Sequence, residues 1–345
     1  MEARTIRRYS ESCAVPFWAR SGHGQTFWGH LLPSGAPRVS RHRSFVPREI
    51  ELADGERLLA YTSEGTSGVR VHLFHGLTGD VDADYIRRTA VALRRRGHSV
   101  WAVNHRGCGA GRGLAWRPYH SGSSDDIADV VHESRRESPE LLHFVIGFSL
   151  SGNAALLLAA QEDSRGPDGI VSVNPPVDIA RASETIHRGW NRLYERRFVL
   201  RLRQEIHRRV RAGKTRQAYR IPLDASLRTF DDLFTAPEAG FLDGADYYCK
   251  CSSLGILKDV CVPTVILTAA DDPFVEPEVY RDAELSDRIL LHIEPHGGHV
   301  GYLARRRWGL GWGRWLDGAL GHYVKELLWQ LGHVRAAPRG DRPDP

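Results

Sequence analysis

The sequence predicts an α/β fold: a mostly parallel central sheet with helices on both faces and a helical cap insertion. Three observations lead there. Apolar, β-branched runs alternate four times with segments of helical period between residues 69 and 178, the pattern of strands covered on both faces and joined by crossover helices. The alternation stops over residues 179–258 and resumes at Pro263 with PTVILT. Within the first run, Leu141–Ala155 (LLHFVIGFSLSGNAA) passes from an apolar strand through Gly147-Phe148-Ser149-Leu150-Ser151-Gly152 into a small-residue, Leu-rich helix, which sets a serine on a sharp strand-to-helix turn.

Taken in order, residues 1–45 show no clear periodicity and are expected to form an extended arm packed on the body. The first core part is 46–178. Arg48–Tyr61 alternates around Asp54-Gly55, a hairpin signal, and belongs at a sheet edge. Val69–His75 reads as a central strand, followed by a helix over about Ala83–Arg96. The strand His98–Val103 precedes a helix over about Ser123–Glu137, with Ser123 or Ser124 as its cap and Asp125 and Asp126 in the first turn, where the helix dipole favours acids. After the serine turn and its helix comes the strand Gly169–Val173. The cap, 179–258, reads as helices and loops without a strand. The second core part, 259–334, holds the strand Pro263–Thr268, a helix near Glu276–Leu285, the strand Arg288–Glu294 and a helix over about Leu316–Leu331 with one apolar face. The tail 335–345, rich in proline and charge, is expected to be disordered.

Composition bounds the class of protein. With 41% hydrophobic and 26% charged residues in 345, the chain is neither disordered nor membrane-like in bulk. No apolar run reaches the roughly 18 residues that cross a bilayer, and the N-terminus lacks the apolar core of a secretory signal, so a cytoplasmic protein is expected. The five cysteines include no C-x-x-C pair and read as free thiols in a reducing compartment. The 17 histidines show no H-E-x-x-H and no Cys/His cluster, so neither metal nor cofactor is expected. The net charge of +5, carried by arginine far more than lysine, is compatible with several partners and selects none.

A serine at such a turn becomes a nucleophile when a base takes its proton, an acid orients the base, and donors receive the oxyanion. Each partner falls on a loop directly after a predicted strand: Ser149 first, then Asp271 or Asp272, then His296 or His299. Asp272 is favoured because Pro273 biases it towards an extended conformation, leaving Asp271 a supporting hydrogen bond. His299 is favoured because the two glycines before it let the loop fold back. The oxyanion donors are expected to be the backbone N–H of Leu150, next to the serine, and of Leu77, on the loop after the first central strand. Ser151 stands where glycine is usual and reads as a tolerated small residue, so Ser151→Gly is expected to keep or raise activity. His120 to Asp125 has acyltransferase-like H-x4-D spacing but reads better as the loop into a helix, and Gly107–Gly111 as a tight structural loop.

Between Arg188 and Arg216 basic residues face only Glu195 and Glu205, interleaved with Trp190, Leu193, Phe198, Leu200 and Leu202. A basic amphipathic helix above the site suits peripheral contact with an anionic membrane. A cap helix with its apolar side over the site and its charges in water is the plainer reading, and nucleic acid is not the expected partner.

Ordered motifs run from about Phe17 to the last helix: FHGLTGD at 74–80, NHRGCG at 104–109, YHSG at 119–122, GFSLSGN at 147–153, FDDLFTAPEAGF at 230–241, DYYCKCSS at 246–253, ADDPF at 270–274 and HGGHVGY at 296–302. With these the chain resembles the YheT-like branch of the α/β-hydrolase-domain proteins. The resemblance implies an α/β-hydrolase fold and a catalytic set of Ser149, Asp272 and His299. It also implies hydrolysis of carboxylic esters, small-molecule or lipid, with acylglycerols and phospholipids as candidates. Two alternatives stand beside it: acyl transfer on the same scaffold, and a non-catalytic protein whose basic insert binds lipid or nucleic acid.

Overall fold

The computed structural model describes residues 6–161, 165–215, 217, 219–305 and 312–332. Eight strands form one sheet in the order β1 (Val46–Glu51), β2 (Arg57–Ser63), β4 (Ser99–Asn104), β3 (Val69–Phe74), β5 (Leu142–Phe148), β6 (Gly169–Val173), β7 (Thr264–Ala269) and β8 (Ile289–Glu294). Pairing from β4 through β3 to β8 is parallel, while β2 runs antiparallel to both β1 and β4. The β1–β2 hairpin turns at Gly55, whose φ of 80° lies in the left-handed region that glycine tolerates. The eight-stranded, mostly parallel sheet flanked by helices is the architecture read from the sequence.

The strands are buried on both faces, and successive side chains serve different cores. Val100 and Ala102 join Val69, Val71 and Leu73 beneath α2 (Asp84–Arg95) and α10 (Trp315–Gln330). Trp101 and Val103 join Val145 and Phe74 beneath α3 (Ser124–Glu137) and α4 (Leu150–Ala159). Because β3 to β8 are parallel, the loops leaving them emerge at one edge, where open α/β sheets assemble their sites. Beyond β6 the chain enters α5 (Ile179–Ile186), α6 (Arg192–Arg211), α7 (Leu227–Phe230), a π-helical turn at Asp231–Thr235, α8 (Ala236–Ala239) and α9 (Gly244–Cys251). The described residues of 179–258 contain no strand, and Val199, Ile206, Phe230 and Phe234 give the segment a core of its own.

Three local expectations are corrected. Residues 1–45 are not an extended arm throughout, because α1 spans Gly22–Leu31, capped by the Ser21 Oγ, which accepts from the Gly24 N–H. No apolar stripe announces α1, since it packs through its glycines: a Cβ on Gly22 would lie 1.6 Å from the Asp271 carbonyl oxygen, and one on Gly29 2.5 Å from the Gly301 Cα. Residues 276–285 form only one tight turn, Pro277–Tyr280, because Glu276, preceding proline, is held extended (φ −71°, ψ 121°). Ser123 does not cap α3 with its side chain; its hydroxyl accepts from the His120 N–H instead. The predicted tail at 335–345 lies outside the described residues.

Candidate active site

Ser149 follows β5 directly and precedes α4 with φ 54° and ψ −120°, a conformation that β-carbon-bearing residues rarely adopt and that a tight strand-to-helix turn imposes. The turn is too close for a side chain at Gly147, where a Cβ would approach the Ser151 carbonyl oxygen to 2.3 Å. The Ser149 N–H donates to the Val173 carbonyl at 2.7 Å, tying the turn to β6.

The Ser149 Oγ lies 2.8 Å from His299 Nε2, and His299 Nδ1 lies 2.9 Å from the Asp272 Oδ2. A carboxylate can only accept, so Nδ1 carries the proton and Nε2 presents its lone pair to the serine hydroxyl. Asp272 and His299 are 6% and 8% exposed, so the chain of hydrogen bonds is shielded up to the serine. Asp272 is held from every side: its Oδ1 accepts from the N–H of Phe274 and Val275, and its Oδ2 accepts also from Asn174 Nδ2 at 2.7 Å. The Phe274 ring packs against the imidazole with centroids 4.8 Å apart.

Asp271 and His296, the alternatives open in the sequence, stand apart from the serine. Asp271 Oδ1 accepts from the N–H of both Gly297 and Gly298 at 2.8 Å, which fixes the loop that carries His299. His296 faces the other oxygen of Asp271 at 3.4 Å. Thr26 on α1 accepts the His299 N–H at 2.9 Å, and Tyr302 donates to Asn174. Asn174, Thr26 and Tyr302 were not singled out from sequence. Only Asn174 carried a signal, a polar residue at the end of a buried strand before two prolines; Thr26 sits far away in the chain.

Leu77 and Leu150 line the same cavity as Ser149, and neither backbone N–H finds an acceptor among the described residues. The direction of the Leu77 amide follows from its planar peptide, in which the Gly76 C=O points opposite to the Leu77 N–H. That carbonyl accepts from His75 Nδ1 at 2.9 Å and from the Gly79 N–H at 3.1 Å, while Gly76 N–H donates to Tyr85 and Thr78 N–H to Tyr119. Loop, turn and amide are thereby pinned together.

Ser151 corrects the reading of it as a merely tolerated small residue. It is fully buried, its hydroxyl donates to the His75 carbonyl at 2.5 Å, and it accepts from His105 Nε2 at 2.6 Å. The protons are fixed by elimination. A carbonyl only accepts, so the single hydroxyl hydrogen goes to His75 and the His105 hydrogen sits on Nε2. Burial, and next the adjacent His75, holds the His105 imidazole well below its ordinary range, so it stays neutral and keeps that single hydrogen. The His105 N–H in turn donates to His75 Nε2 at 3.2 Å. The residue two beyond Ser149 thus fastens the serine turn to the loop that bears the Leu77 amide.

The sequence model of the alpha/beta hydrolase fold family matches residues 69–305. The chain is 31% identical over 284 residues to YheT of Escherichia coli (strain K12), whose designation as an esterase is itself provisional, covering 79% of this chain and 84% of that one. It is 25% identical to the phospholipase ABHD3 of Mus musculus over 83% of this chain and 72% of the relative. Among solved structures, the alpha/beta hydrolase GrgF from Penicillium sp. sh18 superimposes with a TM-score of 0.57 at 17% identity, over 84% of this chain and 99% of that one, a likeness of fold. The protein belongs to the α/β-hydrolase fold family, in the branch that includes YheT.

Proposed function

We propose that the protein is a serine hydrolase of carboxylic esters, with Ser149 as nucleophile, His299 as base, Asp272 as the acid that orients it, and the N–H groups of Leu77 and Leu150 as oxyanion donors. The observation that carries this reading is the unbroken line from the Ser149 hydroxyl through both nitrogens of His299 to a fully hydrogen-bonded carboxylate. His299 Nε2 takes the hydroxyl proton as Oγ bonds to the acyl carbon, and the carbonyl electrons move onto an oxygen facing the two amides. Collapse breaks the bond to the alcohol, which leaves with the proton from His299. Water, deprotonated by the same nitrogen, then releases the acid and restores Ser149. The names of the relatives, an esterase and a phospholipase, support ester substrates, and lipid esters suit the apolar cavity over Ser149.

The outer side of the cap favours contact with an anionic lipid surface: Trp190, Leu193 and Leu200 are 76%, 58% and 55% exposed beside Arg192 and Arg196. No described helix is long and apolar enough to cross a membrane. Co-sedimentation with anionic and with neutral vesicles tests this contact; equal recovery with both would remove it.

The hydrolase reading predicts that a fluorophosphonate probe labels the wild type and not Ser149→Ala, and that p-nitrophenyl butyrate turnover falls in that variant by about 10⁴-fold or more. Equal labelling of both proteins would overturn it.

A further inference from the structure

Ser149 sits where two cavities meet. Leu77, Ser149, Phe198, Phe274 and His299 border both. One cavity, about 1130 Å³ with its mouth, runs beneath the cap. The other, about 1290 Å³ with its mouth, lies between α1, the loop after β3 and α6. Helix α6 roofs both with adjacent stripes at helical spacing: Phe198, Leu202 and Ile206 over the first, Tyr194, Arg197 and Arg201 over the second.

The cavities differ in how their charges are matched. Beneath the cap, Arg106 is paired with Asp54, Glu56 and Asp126, Arg209 with Glu205, and Asp231 accepts from Thr235 and Tyr248. In the second cavity Arg88 is paired with Asp84 and Asp317, but Arg197 and Arg201 have no carboxylate within ion-pair distance among the described residues. The two arginines are one helical turn apart, so they repel. Partial burial, and then the field of Arg197, pulls the Arg201 guanidinium below its ordinary range, against the attraction of Asp80. Two like charges held together with no carboxylate partner among the described residues, at the rim of a cavity that reaches Ser149, are complementary to an anionic ligand group.

An ester places its carbonyl carbon at Ser149 and extends in two directions, one half into each cavity. The acyl half stays bonded to the serine until water arrives, and the more apolar cavity beneath the cap suits it. The alcohol half, bearing the more polar groups, suits the second cavity, whose lining is the more polar of the two and at whose rim Arg197 and Arg201 are exposed. We infer that the cavity between α1 and α6 receives the alcohol half of the substrate, and that this half carries an anionic group, a phosphate or a carboxylate, held by Arg197 and Arg201. The inference rests on the serine-hydrolase reading.

The test uses octanoyl esters, kept below the concentration at which they aggregate, of glycerol, of glycerol 3-phosphate and of glyceric acid, without vesicles. The wild type is expected to turn over at least one anionic ester with kcat/KM about ten-fold or more above the glycerol ester. In Arg197→Gln/Arg201→Gln that ratio is expected to fall by about ten-fold or more, and in the wild type to shrink as salt rises. The phosphate and carboxylate arms tell which anion is held. Equal kcat/KM for all three esters in the wild type, or an unchanged ratio in the double variant, overturns the inference while leaving the hydrolase reading standing. A preference that appears only with vesicles also overturns it, since the arginines would then serve a lipid surface. If the wild type cleaves none of the esters and takes no fluorophosphonate label, the hydrolase reading falls and the inference with it.

Discussion

Replacing Ser151 by glycine, the residue usual at that place, is expected to lower kcat by about ten- to a hundred-fold with little change in KM. The hydroxyl holds two partners, the His75 carbonyl and the His105 Nε2–H, and these residues are 0% and 1% exposed. Deleting it leaves both groups buried without a partner, at about 1 to 3 kcal/mol each, so the fold loses stability unless water fills the vacated space. The catalytic effect follows from what His75 does next: its Nδ1 fixes the Gly76 carbonyl and so the direction of the Leu77 amide. Removing an oxyanion donor outright costs about 2.7 to 4 kcal/mol. Glycine is expected to tilt the proposed Leu77 donor and leave it in place, which corresponds to about 1.4 to 2.8 kcal/mol of barrier. The assay is kcat and KM on p-nitrophenyl butyrate alongside urea unfolding, with Ser151→Ala as a companion that removes the hydroxyl without freeing the backbone. If both variants unfold at lower urea yet keep wild-type kcat, the network only stabilises the fold and the reasoning is refuted.

Further outcomes follow from the same geometry. Asp272→Asn is expected to lower kcat by about 10⁴-fold, because an amide that donates to Nδ1 favours the wrong tautomer of His299; a drop under ten-fold in stopped-flow turnover would remove Asp272 from its role. Asp271→Ala takes away the acceptor of two loop amides and should lower both kcat and the melting temperature, while His296→Ala should change kcat less than three-fold, about 0.6 kcal/mol. Arg106→Met leaves Asp126, Asp54 and Glu56 clustered without their cation and is expected to cost about 3 to 5 kcal/mol of unfolding free energy by urea titration. Asp231 in the cap is raised to about 6 by burial, which outweighs its hydrogen bonds from Thr235 and Tyr248. Between the unfolded value of about 4 and that value the folded protein holds a proton the unfolded chain has released. This group's contribution to stability is therefore full below about pH 4, falls as pH rises to about 6 and is flat above; Asp231→Asn should flatten the urea midpoint between pH 4 and 6, and an unchanged slope would disprove the assignment.

Much of the architecture was legible because its signals are local. A buried parallel strand is a run of β-branched residues whatever its neighbours, so β3, β4, β5, β6 and β7 could be read from composition and period. Ser149, Asp272 and His299 could be singled out because each lies just past such a strand. The weak predictions were those in which a backbone packs through what it lacks. Helix α1 touches the body through Gly22 and Gly29, which no hydrophobic pattern records, and the region after Asp272 is governed by Pro273 and Pro277 more than by its apolar residues.

The sequence by itself determined the element types, the helical insertion and the candidate nucleophile, acid and base, since these depend on neighbours within a few residues. Tertiary structure decided the rest: that β3 lies beside β5, setting the loop that bears Leu77 beside the serine turn; that Ser151 meets His75 and His105; that Thr26 steadies His299; and that α6 divides the space above Ser149 into one cavity of matched charge and one in which two arginines have no carboxylate within ion-pair distance among the described residues. The physical reason is range. Propensity and turn chemistry act along the chain, whereas hydrogen bonds and charges in a buried site act through space, between residues as far apart in sequence as Thr26 and His299.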